Sequence, residues 1–312
     1  MGREQVMDWR AEIEAARSRI AGHVRVTPVM PRCDLGLDMA IDLKFEQMQH
    51  TGSFKPRGAF NTLLSSDVPA AGVVAASGGN HGAAVAHAAR ALGHPATIFV
   101  PEIAGPAKIN LIRETGANLH VVPGAYANAL EGAQAFEAET GAMQIHAYDA
   151  VGTVAGQGTL AAEWDAQGLD ADTVIIAVGG GGLIAGAMAY WAGSRRIVAV
   201  EPETSCALNA ALGAERPIDV EVSGIAANAL GAKRIGQICY DLAVKTQVGS
   251  VLVTDDAIAQ AQQLLWRKLR QLVEPAGAAA LAAVLSGAYT PTADERVAVL
   301  ICGANPAPDP LA

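Results

Sequence analysis

Lys55 is the residue of this chain best suited to covalent chemistry. It stands in Ser53-Phe54-Lys55-Pro56-Arg57-Gly58-Ala59, where a Gly52-Ser53-Phe54 turn leads toward an apolar helix carrying Ala59, Phe60, Leu63 and Leu64. On a surface a lysine is a solvated cation. At the end of such a turn the amine points into a cleft, where desolvation lowers its pKa and frees its lone pair for imine formation. Two glycine-rich segments could bind anions nearby. Ser77-Gly78-Gly79-Asn80-His81-Gly82 follows an expected strand and opens an expected helix, so its free N–H groups suit a carboxylate. An ordinary βα turn reads the same way locally, with His81 as a plain helix-start residue. Gly179-Gly180-Gly181-Gly182-Leu183 has the same context and can wrap several N–H donors around one phosphate, helped by the following helix dipole. The local rival is a dinucleotide site: Gly180, Gly182 and Ala185 fit the fingerprint, and Glu201 closes the next strand where a ribose-binding acid belongs. Cys302 ends the last expected strand and precedes Gly303. That places a thiol at a strand carboxyl end, where open α/β sheets bind ligands, although a buried inert cysteine is the commoner outcome.

The elements that must position these groups follow from periodicity. Expected strands cover residues 41–45, 73–76, 96–100, 119–122, 144–146, 174–178, 197–200, 250–253 and 297–302. Expected helices cover 8–21, 81–92, 108–115, 126–140, 153–167, 183–192, 255–272 and 276–286. The regular strand–helix alternation implies an α/β fold: two open, twisted, mostly parallel sheets flanked by helices. The boundaries fall near residues 71 and 149. Residues 1–71 and 149–312 then form a large unit and residues 72–148 a small one. The tail from Asn305 to Ala312 holds three prolines and should be irregular.

Composition excludes several functions. A formal net charge of -9 disfavours nonspecific binding to nucleic acid or an anionic membrane and favours a small-molecule substrate. Cys33, Cys206, Cys239 and Cys302 are scattered without a Cys-x-x-Cys spacing, and read as reduced thiols of a cytoplasmic protein. The first residues alternate acids and arginines without the apolar stretch of a secretory signal. Residues 173–194 carry no charge, long enough to span a bilayer if helical. Four consecutive glycines, each costing about 1 kcal/mol inside a helix, make the run strand, turn and helix instead.

Taken together, these segments resemble the fold-type II pyridoxal-phosphate enzymes, specifically the serine/threonine dehydratase and serine racemase family. The resemblance rests on residues 53–59, 77–82 and 179–183, with Val200-Glu201-Pro202, Val273-Glu274-Pro275 and Leu300-Ile301-Cys302-Gly303, in that order along nearly the whole chain. It implies a tryptophan synthase β-like architecture, with pyridoxal 5'-phosphate in a cleft between a large domain and a small mobile one. Lys55 would carry the cofactor covalently and serve as general base. Phe54 would pack on its ring, and Asn80 would bond its phenolic oxygen. Gly179, Gly180, Gly181, Gly182 and Leu183 would cup its phosphate. Glu274 would lie near the ring and Cys302 would face the pyridine nitrogen. Ser77, Gly78, Asn80 and His81 would hold the substrate carboxylate. The implied reaction is β-elimination from a small β-hydroxy amino acid, L-threonine or L-serine, giving a 2-keto acid and ammonia. Relatives are commonly homodimers.

Two departures from the family pattern narrow this reading. Racemase relatives place a serine where this chain has Gly78, so elimination is favoured over racemisation. The family's divalent-cation site pairs an acid like Glu201 with a second acid where Ala207 stands, so no metal is expected, Glu203 being the one substitute. A hydroxyaspartate dehydratase is a further alternative, and would need a cation for the second carboxylate; Arg113, Lys233 and Arg234 are the candidates. The most distant alternative is an NAD-binding oxidoreductase.

Overall fold

The structure, a computed structural model, describes residues 7–306. The six-stranded sheet runs in the order β1-β2-β10-β7-β8-β9, from Val29–Cys33 (β1), Ile41–Phe45 (β2), Val297–Ile301 (β10), Thr173–Ala177 (β7), Arg196–Pro202 (β8) and Gly249–Val253 (β9). The four-stranded sheet runs β5-β4-β3-β6, from Asn118–Val122 (β5), Ala96–Pro101 (β4), Val73–Ala76 (β3) and Met143–Gln144 (β6). Every pairing is parallel except β1 with β2. The buried strands read as unbroken apolar runs because helices cover both faces of a parallel sheet.

Twelve helices flank the sheets among the described residues. Trp9–Ile20 (α1), Val151–Ala166 (α6), Gly182–Trp191 (α7), Ala207–Gly213 (α8), Ala227–Leu230 (α9), Gln237–Thr246 (α10), Asp255–Leu269 (α11) and Pro275–Leu285 (α12) accompany the larger sheet, and Lys55–Leu64 (α2) packs Ala59, Phe60 and Leu63 into the core of the smaller one. Asn80–Ala91 (α3), Pro106–Arg113 (α4) and Tyr126–Thr140 (α5) accompany the smaller one. Local chemistry sets their ends. Asp8 accepts the Ala11 N–H at 3.0 Å at the start of α1, and Thr254 accepts the Ala257 N–H at 3.1 Å at the start of α11.

The expected elements recur with shifted ends, and three features differ. Strand β1 is unexpected, because Pro31 breaks its pattern and Arg32 takes φ 49; it is an irregular antiparallel edge, where proline is tolerated. Strand β6 starts one residue earlier than expected and stops after two. Helices α8, α9 and α10 fill a stretch for which periodicity gives no element. The expected irregular tail falls largely outside the described residues. No helix among those described is long and apolar enough to cross a membrane.

Helix α6 fixes α2, and with it Lys55. A Cβ on Gly156 would come within 2.6 Å of the Arg57 carbonyl oxygen and the Gly58 Cα, and a Cβ on Gly186 within 2.4 Å of the Gly158 backbone nitrogen. Without side chains at these positions, α2, α6 and α7 pack backbone to backbone. Strands β2, β10 and β7 are neighbours and run parallel, so the segments that follow them emerge side by side at the carboxyl end of the sheet. Those segments carry Lys55, Cys302 and the glycine run.

Candidate active site

Lys55 occupies the first turn of α2 and is half-buried. Its Nζ donates to the Ala147 carbonyl at 2.8 Å and lies 5.1 Å from the Phe54 ring centroid. Burial lowers its pKa to about 8, so near neutrality a fraction of the amine already holds a free lone pair. The turn before it is pinned to the last strand. Phe54 N–H donates to the Cys302 carbonyl at 3.3 Å, Ser53 bridges Gly303, and Asn305 Nδ2 donates to the Thr51 carbonyl at 2.7 Å. The Cys302 thiol donates to the Ala276 carbonyl at 3.3 Å, and burial pushes its pKa up to about 12. It is therefore a neutral thiol.

The glycine run leaves β7 and enters α7 through Gly181 at φ 94, a left-handed conformation that costs other residues. The N–H groups of residues 179–183 have no acceptor among the described residues. A phosphate would satisfy them, so these residues fit a phosphorylated cofactor. Each glycine is also required by its neighbours: a Cβ would meet Leu230 Cα at 2.9 Å from Gly179, the Tyr148 ring at 2.3 Å from Gly180, and Cys239 Sγ at 2.5 Å from Gly181. Tyr148 thus walls the cup, and it adjoins the Ala147 carbonyl that holds Lys55. Asp149 secures this strap by accepting the Gln237 and Ile238 N–H groups, each at 3.0 Å, at the start of α10.

The second glycine segment links β3 to α3. Here Asn80 Nδ2 donates to Glu274 Oε1 at 2.5 Å, and Asn80 Oδ1 accepts from Asn305 Nδ2 at 2.8 Å. Glu274 is buried beside Gly303, and desolvation raises its pKa against the opposing effects of Lys108 and Asn80. Ser77 Oγ accepts the Gly79 N–H at 3.2 Å. His81 differs from the simplest expectation. Its Nε2 pairs with the Ile145 carbonyl at 2.9 Å, and burial, aided by Lys55, lowers its pKa to about 3. The neutral ring is turned into the protein, and only its backbone N–H remains for a ligand. At Gly78, a Cβ would lie 2.5 Å from the Ala104 methyl carbon.

Hydrogen bonds and close approaches therefore link Lys55 through Ala147 and Tyr148 to Gly180, the turn before it to Cys302, and Asn80 to Glu274 and Asn305. Reasoning from sequence missed Tyr148, Ala104, Asn305 and Lys108. None carries a local signal, since each meets its partner only through the fold. The acid proposed for a ribose is not available to one: Glu201 is fully buried, accepts from the Leu208 and Asn209 N–H groups at 2.8 and 2.7 Å, and is pushed by burial up to about 7. It caps α8, which removes the main support for a dinucleotide site.

Comparison with known proteins agrees with this geometry. The sequence pattern of the family described as pyridoxal-phosphate dependent enzyme matches residues 20–303. Phenylserine dehydratase of Ralstonia pickettii is 36% identical over 300 residues, covering 94% of this chain and 92% of that protein. Maize serine racemase superposes with a TM-score of 0.88 at 32% identity, over 95% of this chain and 93% of its own. The T.th. threonine deaminase superposes with a TM-score of 0.87 at 34% identity, over 95% of this chain and 97% of its own. This chain belongs to the family of pyridoxal-phosphate-dependent enzymes.

Proposed function

We propose that this protein is an ammonia-lyase that eliminates the β-hydroxyl of a small amino acid, L-threonine or L-serine, to leave a 2-keto acid and ammonia. The observation that carries the reading is the contrast between Lys55 and Gly78. Lys55 is an amine with a pKa of about 8, whereas Gly78, read as the position that would face it across the ring, has no proton to offer, and the Ala104 methyl fills the space a side chain would need. A base on one face alone suits elimination, whereas racemisation needs a proton donor on each face.

Residues 179–183 would hold the phosphate, Lys55 the aldehyde carbon, Phe54 the ring face and Cys302 the pyridine nitrogen, with Asn80 and Glu274 at the ring edge. Bound there, pyridoxal phosphate supplies an electron sink for the charge that develops when the substrate Cα–H breaks. Displaced from the aldehyde carbon by the substrate amine, the freed Lys55 amine would take that proton, its burial keeping part of it neutral near pH 7. Cys302, still protonated far above neutrality, cannot place a negative charge at the ring nitrogen, so protonation of that nitrogen is not enforced. A neutral Cys302 would thus leave the electron sink weak, in keeping with an elimination. Residues 72–148, which form their own sheet, are read as the mobile unit that admits substrate.

The relatives named phenylserine dehydratase and threonine deaminase support the reaction class. Release of 2-keto acid should be assayed across L-threonine, L-serine, phenylserine and 3-hydroxyaspartate. Turnover is expected with threonine or serine, and silence from all four in cofactor-loaded protein refutes the reading. Racemisation, suggested by the serine racemase likeness, is checked by chiral analysis of recovered L-serine, where no D-serine is expected.

A further inference from the structure

Lys108 is 3% exposed, yet none of the roles above uses it. Helix α4 carries it into the cleft, where its Nζ donates to the Asn228 carbonyl at 3.2 Å. An ammonium has three N–H donors, and the Asn228 carbonyl is the one hydrogen-bond acceptor of Lys108 Nζ among the described residues. The Glu274 carboxylate acts on it through space, but that carboxylate accepts its hydrogen bond from Asn80. A buried cation with two unmet donors is expensive to keep unless a ligand meets them.

The ammonium faces a second set of unmet donors. Its Nζ is the atom nearest to the position a Cβ would take on Gly79, at 3.6 Å, with the Asn228 carbonyl oxygen at 3.7 Å. Gly79 is the N-cap of the 12-residue helix α3. The N–H groups of Gly78, Asn80, His81 and Gly82 around that start have no acceptor among the described residues. The positive end of a helix and an ammonium with two unmet donors therefore lie side by side at Gly79, and no carboxylate among the described residues is hydrogen-bonded to either. Both favour a compact anion with several acceptor atoms.

Resting on the lyase reading, we propose that Lys108 binds the α-carboxylate of the amino-acid substrate together with the free N–H groups at the start of α3. Burial lowers the Lys108 pKa, partly offset by Glu274, and an arriving carboxylate would restore the charge it stabilises.

The test is calorimetric titration of the cofactor-loaded protein with two compounds that separate amine from carboxylate. Glycine has both and cannot eliminate; 2-aminoethanol has the amine and hydroxyl but no carboxylate. Lys108→Met should weaken glycine binding by about tenfold or more, the scale of one lost charge-assisted hydrogen bond, and leave 2-aminoethanol within about twofold. Lys108→Arg should recover most of the glycine affinity. For the substrate, KM should rise by about tenfold with a smaller change in kcat, as for a group that binds ground and transition states alike. Unchanged glycine binding in Lys108→Met overturns the inference. So does equal weakening of both compounds, which would make Lys108 a structural tie between α4 and Asn228. With aspartate titrated as a third compound, weakening of aspartate without weakening of glycine assigns the ammonium to a side-chain carboxylate and overturns it as well. Failure of wild-type protein to bind either compound overturns the lyase reading and this inference together.

Discussion

Helix α2 separates two groups of buried charge that are treated in opposite ways. Behind it, Arg57 grips Glu46 through Nε at 2.6 Å and Nη2 at 3.1 Å, and reaches Glu163 at 2.9 Å. Lys44 completes the set with Glu163 at 2.6 Å, Gln167 at 2.7 Å and the Thr27 carbonyl at 3.1 Å. Burial pushes the Glu163 carboxyl up, but Arg57 and Lys44 more than offset it and hold it below its ordinary value. Elsewhere, Lys55 and Lys108 each have a single backbone carbonyl; burial lowers both pKa values as it lowers that of Lys44, so the number of partners, not the shift, separates the two groups. Charges that satisfy one another make a scaffold. Charges left under-partnered await a ligand, because only an incoming group can repay their desolvation.

The contrast breaks first at Lys55. Lys55→Ala should lower turnover by about 10³-fold or more, measured as keto-acid release, while urea unfolding shows stability unchanged or improved once a desolvated amine is gone. Arg57→Met should do the reverse. Leaving Glu46 and Glu163 uncompensated should cost about 3–5 kcal/mol in urea unfolding, with kcat retained in the fraction that stays folded. A large kcat loss in fully folded Arg57→Met would erase the division between scaffold and site.

Smaller effects sharpen it. Gly78→Ser should cost about 1–3 kcal/mol from overpacking against Ala104, and Gly78→Ser with Ala104→Gly should regain most of that in thermal unfolding. His81 gives a pH signature. Its folded pKa is lowered to about 3 from an ordinary 6.5, so between those values the unfolded chain binds the extra proton, and stability falls as pH falls. The difference in unfolding free energy between wild type and His81→Gln should therefore shift toward the variant from pH 6.5 downward. A pH-independent difference would mean that the buried ring is not neutral.

Much of the fold is legible in the sequence itself. Lys55, the glycine run and Cys302 follow β2, β7 and β10, and apolar strands ending in small or reactive residues announce themselves locally. Strand β1 escaped because its proline erased the period, and α10 because its polar and apolar residues carry no strong cap at Gly236.

The sequence alone determined the α/β alternation, the lysine turn and both N–H-rich helix starts, because each depends on residues close in the chain. Only the tertiary structure decided which of these features act together. Ala104 against Gly78, Tyr148 against Gly180, and Lys108 beside Gly79 and Asn228 are contacts between residues far apart in the chain. Their geometry comes from segments of the smaller sheet's unit packing against segments of the larger one. Desolvation, which separates a surface lysine from a reactive one, is a property of what surrounds a residue in space, and no window of sequence contains it.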